Sequence, residues 1–288
     1  MENQHLDELN EYCAPGTQIA VEMIAVTPLV RLKVITFLPK EENRNPTVVF
    51  VPGWISLMWG WKRVLREMTR DFPIYYVETR EKITSEIRGD VQYDVETIGQ
   101  DIAAIVRHFN LDEREYVLFG SSLGATAILD CCRFLHKTPL ALIVIGPNAV
   151  FRIPPLGLFV IRIFPPRLYF IIKPVVKWYL KTFRMDVDSD HKQYEKYCRA
   201  LDTADPWKLK KGALALASYQ IWDLLEDIEI PTLIIGASKD YLHEPDNLKK
   251  MVTMMPQATY LDMETNSQTH SEEMVDKMRA FIASLLEA

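Results

Sequence analysis

A serine between two glycines, placed where an apolar strand stops and a helix of small residues begins, constrains this chain more than any other feature. The run is Val117-Leu118-Phe119-Gly120-Ser121-Ser122-Leu123-Gly124-Ala125-Thr126-Ala127. A strand that turns abruptly into a helix brings backbone segments so close that side chains at Gly120 and Gly124 would clash. The same turn holds Ser122 in a strained conformation with its oxygen above the sheet. The helix beginning at Leu123 then aims unpaired N–H groups at the place where negative charge would develop. A serine hydroxyl is a poor nucleophile unless geometry presents it and a base takes its proton. The bland alternative is that Ser121 and Ser122 merely cap a helix.

The surroundings of this run favour the chemical reading. Strands are expected at Ile19–Ile24, Val30–Phe37, Thr47–Val51, Ile74–Val77, Tyr116–Phe119 and Leu140–Ile145, and helices at Leu57–Met68, Val95–Phe109 and Ala125–Phe134. Short, fully apolar strands alternating with amphipathic helices signify a mostly parallel sheet covered on both faces. The alternation resumes with strands at Thr232–Ile235 and Thr259–Asp262 and helices at Asn247–Met255 and Ser271–Leu286. Between them the chain is punctuated by Pro154, Pro155, Pro165, Pro166 and Pro174, with helical periodicity over His191–Leu201 and Leu214–Leu225 and Asp205-Pro206 reading as a helix start. The expected organisation is an α/β core over residues 1–147 and 230–288, with a helical cap inserted over 148–229.

A base for Ser122 should be a histidine on a connection near the strand ends. His5 lies in a polar tail, His108 and His136 end helices where the dipole favours them, and His191 sits in an acidic stretch. His270 differs. It follows the turn-like Glu264-Thr265-Asn266-Ser267-Gln268-Thr269 and precedes the last helix. The acid that orients it should follow another strand, which selects Asp240 after Leu233-Ile234-Ile235-Gly236, with Glu244 and Asp246 as solvated neighbours. The chain order is then Ser122, Asp240, His270.

On these residues the chain resembles the α/β-hydrolase superfamily in its form with an inserted helical cap. The resemblance spans residues 16–287 and rests on four places: Val48-Val49-Phe50-Val51-Pro52-Gly53-Trp54, Gly120-Ser121-Ser122-Leu123-Gly124, Ile228-Glu229-Ile230-Pro231 leading to Asp240, and Thr269-His270-Ser271. It implies that backbone N–H groups of Leu123 and Trp54 (or Ile55) hold an oxyanion. It implies a serine hydrolase, an esterase or lipase-like enzyme without a cofactor, in which Ser122 attacks a carbonyl, His270 moves the proton and Asp240 fixes the imidazole. Three departures stand out. Pro52-Gly53 replaces His-Gly, and Thr269 replaces the glycine before the histidine. Glu78-Thr79-Arg80-Glu81-Lys82-Ile83-Thr84-Ser85 replaces an Asp-x-Arg-Gly-x-Gly-x-Ser turn, so that loop is expected to take a different path.

The inserted segment carries the substrate argument. From Val150 to Arg184 there is no acid, against seven basic residues and eight aromatics, a local reversal in a chain of net charge -6. Lys173, Lys177 and Lys181 form one stripe and Val176, Leu180 and Phe183 another. The plain expectation is a cap helix that roofs the site while its lysines face water. The sharper one is a surface that rests on an anionic membrane or micelle and admits a lipid-like substrate, and a patch for a partner protein is the third reading. Either way an apolar acyl group is expected, met by Ile55, Phe151, Phe159, Phe170 and Trp178, while Trp54, Trp59 and Trp61 line the mouth or pack in the core. Prolines and charges break every apolar stretch before roughly 20 residues accumulate, so no membrane span is expected.

Composition narrows the remaining classes. Apolar residues at 48% and charged residues at 25% fit a globular domain, and the acidic balance gives no general reason to bind nucleic acid. Cys13, Cys131, Cys132 and Cys198 lack metal-ligand spacing, and with a polar amino terminus they are expected as free thiols in a reducing cytoplasm. Pro52-Gly53-Trp54 lacks the glycine spacing of a dinucleotide site. Two other readings stay open: a carbon–carbon bond hydrolase of the same fold, and a catalytically silent binding protein.

Overall fold

The computed structural model describes residues 8–41, 43–184, 187, 191–239 and 245–287. Among these, nine strands form one sheet: β1 (Gln18–Thr27), β2 (Val30–Leu38), β3 (Thr47–Val51), β4 (Ile74–Val77), β5 (Glu86–Ile87), β6 (Tyr116–Ser121), β7 (Ala141–Ile145), β8 (Thr232–Gly236) and β9 (Ala258–Asp262). Their order is β1-β2-β4-β3-β6-β7-β8-β9, with the two-residue β5 paired to β2 outside that path. β1, β4 and β5 pair with β2 in antiparallel fashion, and every pairing from β4 to β9 is parallel.

Burial on both faces explains the continuous apolar strands. In β3, Val49 and Val51 enter one core while Val48 and Phe50 enter the other. The first core lies against α2 (Val95–His108) and α3 (Leu123–Cys131), and the second against α1 (Lys62–Met68) and α9 (Glu272–Leu286). β6 and β7 alternate in the same way, Leu118 and Leu142 on one side and Phe119 and Ile143 on the other. Period two serves two cores instead of one core and water.

Between β7 and β8 the chain forms α4 (Pro155–Ile163), α5 (Tyr169–Tyr179), α6 (His191–Thr203) and α7 (Pro206–Leu216). An isolated bridge, Val150 to Gln220, closes the base of this insertion. α7 begins where Asp205 accepts from the Trp207 and Lys208 N–H groups with Pro206 in the first turn. It ends at Leu216, so the helix expected over Leu214–Leu225 sits earlier and gives way to a 3-10 segment, Trp222–Asp227. α8 (Pro245–Met254) precedes β9.

The loop without the family's glycines follows the path its charges dictate. Arg80 Nε and Nη2 donate to the two Asp101 oxygens, each at 2.7 Å, and Nη1 donates to Gln92 O at 2.6 Å. Both side chains are buried. Removing one member would strand a buried charge, which costs far more than the pair contributes. Asp101→Ala is therefore expected to lower stability by about 3–5 kcal/mol, read as a lower midpoint in urea.

Candidate active site

Ser122 sits between β6 and α3 with φ 50° and ψ -118°, a conformation that a side-chain-bearing residue adopts only when its surroundings force it. The surroundings here are contacts too close for a Cβ. One on Gly120 would lie 2.9 Å from Ala125 N, and one on Gly124 would overlap Val51 O and Pro52 O. The start of α3 is thus pressed onto the end of β3. A Cβ on Gly53 would meet Ser122 Cβ at 3.2 Å and Ser121 O at 3.3 Å, so the loop after β3 passes directly over the serine.

That loop carries the second strained residue. Ile55, β-branched, has φ 48°. Among the described residues the backbone N–H groups of Trp54 and Leu123 have no protein acceptor. The loop is held from beneath by Lys82, fully buried, whose Nζ donates to Gly53 O at 2.6 Å and Ser56 O at 2.9 Å and pairs with Glu81 at 3.4 Å. Burial pushes the Lys82 ammonium down from its ordinary range, while Glu81 and Glu78 act the other way. Sequence reasoning noticed the missing glycines but not that Lys82 takes over the support of this loop.

The polar partners of Ser122 and His270 are not each other. Ser122 Oγ accepts from Asn148 Nδ2 at 3.0 Å, and Asn148 is anchored by its own N–H donating to Thr126 Oγ1 at 2.8 Å. Thr126 Oγ1 in turn donates to Ser122 O or Asn148 O, each at 3.1 Å. Asn148 was also missed. Its only signal is a polar side chain just past β7, the strand beside β6. His270 stacks on the buried Trp61 ring, with centroids 4.1 Å apart, and Trp61 packs edge-on to Phe50. The imidazole Nδ1 lies 3.0 Å from Asn266 O and from Thr269 Oγ1, and Nε2 lies 2.7 Å from Lys196 Nζ on α6. A lysine ammonium can only donate, so Lys196 occupies the Nε2 lone pair and Nδ1 carries the proton toward Asn266 O.

Asp240 lies outside the described residues, as does His243, a histidine that sequence reasoning passed over. Of the residues expected to meet substrate, Ile55 lines a crevice of about 60 Å³ with Lys82 and Ala200, and Phe151 packs on the first core near Tyr219. Phe159, Phe170 and Trp178 are instead exposed, facing outward on the cap. Of the tryptophans, Trp61 belongs to the core, Trp59 lies against Arg199, and Trp54 packs on Gly212 of α7 with its Nε1 buried and unpartnered among the described residues. A cleft of about 500 Å³ opens beside His270, lined by Trp59, Lys62, Arg66, Lys196 and Ser267 among others.

The elbow makes a sharp test of packing. Gly124→Ala is expected to destabilise by several kcal/mol or prevent folding, because the methyl meets backbone. The same change at Gly157 in α4, where a Cβ meets nothing closer than 3.7 Å, is expected to be neutral or stabilising by about 0.5–1 kcal/mol. Thermal unfolding of both variants checks the contrast.

No protein-family model matches the chain, and no curated protein matches it. Solved structures do. A thermophilic esterase from Thermogutta terrifontis superposes with a TM-score of 0.72 at 18% identity, over 93% of this chain and 99% of that one. The enol-lactonase from Burkholderia xenovorans LB400 gives 0.73 at 13%, over 93% and 100%. A hydrolase from Oleispira antarctica gives 0.72 at 18%, over 87% and 94%. Likeness at such identities establishes architecture and leaves chemistry to the site: the chain has the α/β-hydrolase fold.

Proposed function

We propose that this chain is a serine hydrolase that cleaves a carboxylic ester or thioester with an apolar acyl group through an acyl-enzyme on Ser122. The observation that carries the reading is the Ser122 backbone, strained at φ 50° with the loop after β3 packed directly against it. Strain of this kind is retained where it serves a site. Ser122 Oγ forms the bond to the carbonyl carbon as its proton passes to His270 Nε2. The carbonyl oxygen takes the electron pair and is held by the Leu123 and Trp54 N–H groups. Collapse expels the alcohol or thiol, which takes the proton from His270. Water, deprotonated by the same imidazole, then releases the acid.

Two contacts must exchange for this to run. His270 Nε2 has to leave Lys196, and Ser122 Oγ has to turn from Asn148 toward the imidazole. Asp240 is proposed as the acid behind Nδ1. The esterase and enol-lactonase among the structural neighbours support acyl chemistry on this scaffold.

The reading is tested with a p-nitrophenyl ester series and a fluorophosphonate. Wild type is expected to turn over medium or long acyl chains and to be labelled, Ser122→Ala to do neither, and His270→Ala to lose about 10³-fold or more while His243→Ala does not. Labelling without ester turnover would redirect the reading to a carbon–carbon bond hydrolase, and no labelling at all would leave a silent binding protein. Lys82→Met removes the support of the oxyanion loop. It is expected to lower the rate at saturation about tenfold or more with little change in half-saturation.

A further inference from the structure

α4 and α5 are built inside out. On α4 the exposed residues Leu156, Phe159, Val160 and Ile163 recur at three and four, so they form one outward face that is wholly apolar. On α5 the outward face carries Phe170, Ile171, Val175, Trp178 and Tyr179. The lysines point the other way: Lys173 and Lys177, 19% and 24% exposed, both reach Asp202 of α6 at 2.8 Å. This corrects the expectation that the lysine stripe faces water at Lys173 and Lys177, while Lys181 is exposed. Of the seventeen large apolar side chains exposed among the described residues, eleven fall between Leu156 and Phe183. Concentration on that scale marks an interaction surface rather than scattered surface apolarity.

Charge identifies the occupant. Arg162, Arg167 and Lys181 are exposed in this segment with no acidic partner among the described residues, and the sequence from Val150 to Arg184 contains no Asp or Glu. A second copy seated on this face would bring like charges together. Phosphates at a lipid surface would not. No described helix is long and apolar enough to cross a membrane, and Pro155–Ile163 and Pro166–Phe183 are bent by 109° to one another. That shape suits a pair lying in the interface rather than a rod through it.

We propose that the outward face of α4 and α5 docks this protein on an anionic lipid leaflet, with its apolar side chains in the acyl boundary and Arg162, Arg167 and Lys181 on headgroup phosphates. Docking needs no chemistry at Ser122. Its consequence, that the acyl substrate enters from the lipid phase, rests on the hydrolase reading.

The test is flotation of the Ser122→Ala protein with vesicles of phosphatidylcholine alone or mixed with phosphatidylserine. Binding is expected to the mixed vesicles, severalfold weaker to the neutral ones, and to fall with salt. Phe159→Glu with Ile171→Glu is expected to weaken it about tenfold or more, and Arg167→Glu about fivefold or more. Leu29→Glu, an exposed apolar site on the β1–β2 turn, should leave it intact, and circular dichroism confirms that each variant is folded. No flotation, equal flotation with neutral vesicles, or patch variants that bind like the parent would overturn the proposal. So would a dimer that Ile171→Glu dissociates and that ignores vesicles. A wild type that hydrolyses a soluble ester yet never floats would overturn docking alone, and one that floats without turnover would overturn the chemistry alone.

Discussion

A Cβ on Gly124 would overlap the carbonyls of Val51 and Pro52, and the site depends on the close backbone approach that its absence permits. With no Cβ in the way, α3 starts against the end of β3, and Ser122 has no room to relax from its positive φ. The same approach brings the loop after β3 over the serine, where a Cβ on Gly53 would meet Ser122 Cβ at 3.2 Å. The parallel pairing of β3 with β6 over Thr47–Val51 fixes the height at which the two meet. Sheet register, glycine and strain are thus one arrangement rather than three.

A second dependence runs from the cap into that arrangement. Lys208 of α7 donates to Lys82 O at 2.7 Å, Ser85 O at 2.8 Å and Ser85 Oγ at 2.7 Å, and Lys82 in turn holds Gly53 O and Ser56 O. Two buried ammonium groups therefore link the insertion to the loop after β3 through backbone carbonyls. Burial lowers both from the ordinary lysine range, and each carries enough acceptors to remain in place. From α6, Lys196 reaches His270 directly. The insertion thus contacts His270 and, through Lys82, the loop after β3.

The core was legible because its strands obey a rule that one sequence displays. Thr47–Val51 and Ile74–Val77 are rich in β-branched and aromatic residues, apolar at every position but Thr47, and the structure begins and ends them at those same residues. Ser122 was legible because glycines flank it. Lys82, Asn148 and Lys196 were not, because their roles come from elements 26 to 74 residues away that touch only in the fold. The cap misled for a different reason. Amphipathic reading assumes that the polar face meets water, and in α5 the lysines turn to Asp202 while the aromatics turn out.

The most direct measurement is a crystal structure of the protein treated with a fluorophosphonate. The account requires phosphorus on Ser122 Oγ, its oxygen between the N–H groups of Leu123 and Trp54, and His270 turned from Lys196 toward the adduct. An unmodified Ser122, or an adduct whose oxygen lies away from both N–H groups, would contradict it.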